Sequence, residues 1–561
     1  MEKIFVLGNS DIVKKLGYEC REIPNLFKDN EIHSWLLSLF QNNEIEKLII
    51  EIGDNPELSL KIGLHIRLML EELRMKSLIP MVFISTSTLN VIMKATGIWS
   101  HLLVTKGVYF ISFENIKDEI SAVNGLTADE YKTGFLNIIK ILPDETIGRH
   151  SLANIWGAYR MDKAANTNAL ANEIEIKHNQ SKLYFKYRTA FNFDMKMLPI
   201  KIVGRISVGQ NDKSETIDAK GKRILLIDDE ADKGWETVLR KVFKTSLPED
   251  FVVIKEKVKD YSNLSAGSKN LIENTPFDLY LIDLRLNGSE EENTFKSSNF
   301  SGMKVLKKIK SLNTGYQVII FTASNKVWNL KALLDEGADG YYMKESPEFG
   351  FSSDFSEQNY LRFQEDVKRC FEKDFLRELY IPYQIILQKI NGLSTYSNDF
   401  KEEIRNQLEL FWDMISSAKT ETQFAYSYIT LYTVIEIVNN YFIQHNLAKN
   451  QWEITGAGAL FNWEWDKTQN KYTHKNVNVT GNNPPEWQKF AGLYFQKWQE
   501  TNQQSIQNIY HLIRKRNGFI HKDISILDEK NKQGEYLNRD IYTKAGTVKL
   551  FKAVEKIIEF F

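Results

Sequence analysis

Residues 223–230, "RILLIDDE", run from a short apolar stretch into three consecutive carboxylates. An apolar run of this length with polar flanks reads as a strand buried on both faces. The construction recurs downstream. "FDLYLI" (277–282) leads into Asp283, "YQVIIF" (316–321) into Thr322, and "GYYM" (340–343) into Lys344. Helical patterns such as "SGMKVLKKIKSL" (301–312) and "WNLKALLDEGA" (328–338) separate the runs. This alternation predicts a parallel, doubly wound α/β sheet. The carboxyl ends of its strands share one edge, where ligands bind.

Asp228, Asp229, Asp283, Thr322 and Lys344 are therefore expected to converge. Three carboxylates repel one another unless a cation lies among them, and hard oxygen ligands suit Mg²⁺. A carboxylate beside such a cation can act as a nucleophile and form an acyl phosphate. A lysine and a hydroxyl opposite it would hold the phosphoryl oxygens. The alternative is a buried acidic cluster with a counter-lysine. Over about residues 221–350 the sequence resembles the response-regulator receiver domain. The resemblance implies a Mg²⁺ site at Asp228, Asp229 and Asp283, with Asp283 as phosphoacceptor. It also implies switch residues Thr322 and Tyr341, with Lys344 beside them. The stretch "NGSEEENTFKSSNF" (287–300) departs from the family, which has a short Pro-containing loop there.

The 561-residue chain is too long for one core, and three or four domains are expected at roughly 100–200 residues each. Net charge is −1, so no global field draws the chain to nucleic acid or a membrane. Two cysteines, Cys20 and Cys370, exclude a disulfide framework and a cysteine zinc site, and point to a reducing cytoplasm. No signal-peptide core is evident at the N-terminus, and no apolar run approaches the ~20 residues that span a bilayer.

Upstream, "EKIFVLG" (2–8), "EKLIIEIG" (46–53), "IPMVFIS" (79–85) and "HLLVTKGVYFI" (101–111) are again strand-like, around a helical "ELSLKIGLHIRLMLEELR" (57–74). Residues 1–112 resemble a degenerate receiver. No acidic pair follows the first run, and neither Glu51 nor Asp54 has a full set of partners, so a binding or dimerisation role is expected. Residues 113–220 are an accessory region without an assigned role. A helix is expected over 147–166, and strands at "SKLYFKYRTAFNF" (181–193) and "MLPIKIVGRISVG" (197–209). His150 in "HSLAN" faintly resembles a phosphotransfer histidine, and an ordinary surface or capping position is the reading preferred for it.

After a polar link over 351–374, residues 375–561 read as an all-helical domain of long amphipathic runs, with a loop or insertion over 446–485. Near its end lies "RNGFIH" (516–521). On a helix, Ile506, Ile509, Ile513 and Ile520 fall in a stripe about 60° wide, expected to be buried. Asn517 and His521 border the stripe on one side and Arg516 on the other. A symmetric pair of such helices would bring two Arg and two His into one cleft. His521 could then move a proton at an RNA 2′-hydroxyl, and Arg516 could stabilise charge on the phosphate. The motif and its position resemble the HEPN family, whose ribonucleases carry Arg, four to six residues, then His. The resemblance implies metal-independent RNA cleavage by Arg516, Asn517 and His521, with Glu436 as the upstream acid. An inactive HEPN-like binding domain and a solvated basic helix end are the alternatives.

The whole is expected to be a multidomain α/β plus all-α protein of the cytoplasm. Its expected partners are a histidine kinase or phosphotransfer protein, an RNA substrate and a second copy of the chain, with no membrane and no DNA. The pairing of domains resembles bacterial stress and phage-defence effectors. A non-catalytic signalling adaptor, with a receiver controlling dimerisation, is the other reading.

Overall fold

A computed structural model describes residues 3–26, 29–143, 148–167, 169–170, 175–197, 216–287, 299–322, 331, 333–347, 351, 353–466, 468–469, 471–522, 526, 528, 530 and 539–561. Nearly all of the expected strand at 197–209 and of the 287–300 stretch lies outside these residues. The chain divides into two compact units. One is Met1–Ile309 with Gln317–Phe371, the other Lys310–Tyr316 with Glu372–Phe561.

The first unit holds two parallel five-stranded sheets. Strands β1 (Ile4–Leu7), β2 (Glu19–Arg21), β3 (Lys47–Glu51), β4 (Met81–Ile84) and β5 (Val108–Phe110) form the first, in the order β2-β1-β3-β4-β5. Leu48, Ile49, Ile50, Val82 and Phe83 are fully buried, as strands covered on both faces require. Of the run at 101–111, only Val108–Phe110 is strand, because Gly97–Val104 winds into a 3₁₀ helix. The helix Pro56–Leu68 starts at Asn55, whose side chain accepts the Leu58 N–H at 3.1 Å.

A short parallel pair, β6 (Ile217–Ala219) and β8 (Phe243–Thr245), flanks the second sheet. That sheet contains β7 (Ile224–Ile227), β9 (Phe251–Ile254), β10 (Leu279–Asp283), β11 (Val318–Thr322) and β12 (Gly340–Met343), in the order β9-β7-β10-β11-β12. Both sheets thus share one strand order and one crossover pattern. The edge strand β9 was not anticipated.

Among the described residues, the accessory region includes the helices Arg149–Ala164 and Glu175–Asn192. The strand expected at 181–193 is therefore helical. Its aromatic richness suggested a strand, but Leu183, Lys186 and Ala190 are buried at i, i+3 and i+7, which is helical spacing. The expected link at 351–374 is also largely helix, Ser353–Glu372. Tyr360, Phe363, Val367 and Cys370 form its buried stripe, in one core with Phe321 and Tyr342.

The second unit packs the helices Phe375–Gly392, Asn398–Ser417, Glu421–Phe442, Gln503–Ile520 and Lys544–Glu559 around one core. It is not all-helical. β13 (Ile443–Asn446), β14 (Gln451–Ile454) and β15 (Gly458–Ala459) form an antiparallel sheet, and β16 (Phe461–Asp466) pairs with β17 (Lys471–Asn478) as a hairpin. The aromatic alternation Phe461, Trp463, Trp465 is the period-2 pattern behind the hairpin, obscured by the surrounding Asn and Gly. Among the described residues, no helix is long and apolar enough to cross a membrane.

Candidate functional site

The carboxyl edge of the second sheet assembles the predicted residues. Parallel pairing sets Ile227 beside Ile282, so Asp228 follows β7 next to Asp283 at the end of β10. One carboxylate oxygen from each of Asp228, Asp229 and Asp283 lies within 4.8 Å of the others. Lys344, just past β12, spans this group. Its Nζ is 2.9 Å from Asp228 Oδ2 and 2.9 Å from Asp283 Oδ1. Asp228, Asp283, Thr322 and Lys344 are all buried. Tyr341 is half-buried, and its hydroxyl accepts from Arg362 Nη1 at 3.2 Å.

Burial dominates the electrostatics. It disfavours the Asp229 carboxylate, and with Asp228 alongside the pKa is pushed up to about 7. Asp283 is likewise raised, by burial and the neighbouring Asp228, with Lys344 opposing. Burial works against the Lys344 ammonium, yet Asp228 and Asp283 outweigh it and hold the pKa above the usual lysine value. Among the described residues, neither of the two buried Asp229 carboxylate oxygens has a hydrogen-bond partner. A divalent cation is the partner such oxygens suit, since three converging carboxylates match the hard-oxygen preference of Mg²⁺.

A small cavity adjoins this cluster, lined by Asp283, Arg285, Thr322 and Lys344 from the sheet domain and by Ala153 and Asn154 from the helix Arg149–Ala164. Sequence reasoning missed Asn154 and Glu230. Asn154 Oδ1 accepts from Lys344 Nζ at 2.9 Å and from Trp235 Nε1 at 3.0 Å, and its Nδ2 donates to Glu230 Oε2 at 3.2 Å. No spacing rule links residue 154 to the strand ends some 75 residues or more downstream. The one local sign was "HSLAN" itself, which drew notice for His150, whose side chain lies outside the described residues.

The first sheet carries other residues at the equivalent places. Leu7 pairs with Ile50 as Ile227 pairs with Ile282, so Gly8 and Asn9 stand where Asp228 and Asp229 stand, and Glu51 where Asp283 stands. Counting onward from the paired register of β4 and β5 puts Phe113 in the place of Lys344. Glu51 turns its carboxylate back on the loop, accepting the Asn9 N–H at 2.8 Å and the Ser10 N–H at 3.0 Å. The cation ligands and the lysine are absent, and the remaining acid is spent on backbone amides. Residues 2–111 match a family model described as an inactive receiver domain, in agreement with this geometry. No curated protein matches the chain.

In the second unit, Arg516 and Glu436 meet across helices, with Nη2 2.6 Å from Oε1. The guanidinium lies 5.1 Å from the Tyr432 ring centroid, and Nη1 donates to Asn517 Oδ1 at 3.1 Å. Burial raises the Glu436 pKa, opposed by Arg516. Ile506, Ile509 and Ile513 are buried as expected, but Ile520 is 44% exposed because the helix ends there. His521 caps that end with its N–H on Asn517 O and is exposed.

Proposed function

We propose that the chain is a signalling protein in which Asp283 accepts a phosphoryl group. The observation that carries this is the meeting of Asp228, Asp229 and Asp283 with Lys344 at one sheet edge, beside Thr322. Bound Mg²⁺ would neutralise the carboxylates and the entering phosphoryl charge. Asp228, Asp229 and Asp283 would hold it. An Asp283 oxygen attacks phosphorus of a phosphohistidine or acyl phosphate donor. The bond from phosphorus to the donor breaks, its electron pair leaves with the donor, and an aspartyl phosphate remains. Lys344 and Thr322 then grip the phosphoryl oxygens, and Tyr341 follows. The inactive receiver at the N-terminus fits the same signalling context.

The output in this reading is the C-terminal domain, cutting RNA as a dimer through Arg516 and His521, with Asn517 and Glu436 in support. An RNA cleavage assay with and without acetyl phosphate tests it, with Asp283→Ala and His521→Ala alongside. Cleavage that needs His521, and that responds to the donor through Asp283, is the expected result. One observation favours a non-catalytic adaptor instead. Arg516 is already engaged by Glu436 and Asn517, which leaves the guanidinium a structural role.

A further inference from the structure

Every N–H of Lys344 is in use. An ammonium has three donors, and Asp228, Asp283 and Asn154 each accept one at 2.9 Å. A phosphoryl oxygen can gain Lys344 only by displacing one of them. Asn154 is the neutral acceptor and forms the weakest of the three bonds before transfer, and the Asp283 bond weakens in turn as its carboxylate becomes an acyl phosphate. It sits on the helix Arg149–Ala164, which also grips the loop after β7. Ser151 Oγ donates to Glu230 Oε1 at 2.8 Å, and Asn154 Nδ2 to Glu230 Oε2. Gly157 lets the helix approach closely, since a Cβ there would meet the Trp235 ring at 2.8 Å.

The helix is anchored at its other end. Arg160 Nε bonds Glu345 Oε2 at 3.0 Å, both nearly fully buried, and Lys163 Nζ pairs with Glu71 Oε2 at 2.7 Å in the inactive receiver. One helix thus reaches from the inactive domain to the Asp283 site and lines its cavity.

Resting on the acceptor reading above, we propose that the helix Arg149–Ala164 is a latch on the Asp283 site. Asn154 and Ser151 fasten it, and the inactive receiver holds its far end. The cavity beside Asp283, lined on the helix side by Ala153 and Asn154, opens to a donor when the Asn154 end lifts, and the aspartyl phosphate keeps it lifted by taking Lys344. The inactive domain thereby gains a task that needs no phosphorylation of its own.

The test uses the full chain with Mg²⁺ and acetyl phosphate, which leaves as acetate. Initial labelling rates are compared in the unaltered protein, Asn154→Ala, the milder Ser151→Ala and Asp283→Ala, with amide exchange followed over 149–164. Release of a mostly closed latch predicts Asp283-dependent labelling about tenfold faster in Asn154→Ala. Ser151→Ala should show a smaller gain, and exchange over 151–157 should rise on labelling. Equal labelling in all proteins that keep Asp283 overturns the latch and leaves the acceptor reading intact. Labelling without a rise in exchange does the same. No labelling in any variant overturns the acceptor reading and the latch together.

Discussion

Arg516 and Glu436, eighty residues apart in sequence, close a 2.6 Å ion pair in which both side chains are about three-quarters buried. Removing one partner strands the other in a partly desolvated place. Arg516→Ala should therefore lower the stability of the C-terminal domain by about 1–3 kcal/mol. His521→Ala, at an exposed helix end, should change it by less than about 0.5 kcal/mol. Chemical denaturation measures both. If the domain cuts RNA, both variants lose cleavage, and His521→Ala does so in a fully stable protein.

The Asp229 carboxyl, with Asp283 raised beside it, is a group through which pH should act on the metal-free fold. Its folded pKa is about 7 against an ordinary 3.8, so it binds its proton more tightly when folded. Its contribution to stability is present below the unfolded value and is lost as pH rises through about 7. In chelator, the melting temperature should fall from pH 5 to 8 more steeply than in Asp229→Asn. Added Mg²⁺ should raise it increasingly across the same range. A metal-induced shift independent of pH would count against the three-carboxylate site.

Lys344 offsets two buried carboxylates at once. Lys344→Ala in chelator should cost about 3–5 kcal/mol, as expected for breaking a buried ion pair. Mg²⁺ should return part of that loss, because the cation takes over the same charge. Thermal melts with and without metal give the comparison.

Glu51 offers the contrast. Its carboxylate ties down the Asn9 and Ser10 amides. Glu51→Ala should destabilise the N-terminal domain by about 1–3 kcal/mol, leaving phosphoryl labelling of the chain unchanged. A phosphoryl label carried by Glu51 itself would contradict an inactive first domain.

The two parallel sheets were legible because their strands are short, apolar and punctuated by polar residues, as at Ile227–Asp228 and Ile282–Asp283. The Asp283 cluster followed from topology, since every strand end falls on one edge. The inactivity of the first domain was equally open to reading, in the missing acidic pair after Leu7. Other features, besides strand β9 and the helix Ser353–Glu372, were not. Helix Glu175–Asn192 looked like a strand because "LYFKY" is aromatic, while its true period shows only in burial. The hairpin of Phe461–Asp466 was hidden by turn-forming neighbours. Asn154 was out of reach because its role depends on where a helix docks, and a docking contact leaves no local pattern.

The measurement that bears most directly on the central claim is phosphopeptide mass spectrometry of the full chain after acetyl phosphate and Mg²⁺, beside Asp283→Asn. The account predicts one acid-stable, hydroxylamine-labile phosphoryl group on Asp283, reduced by chelator and absent from the variant. An unlabelled protein after long incubation, or a label that persists in Asp283→Asn, would contradict it.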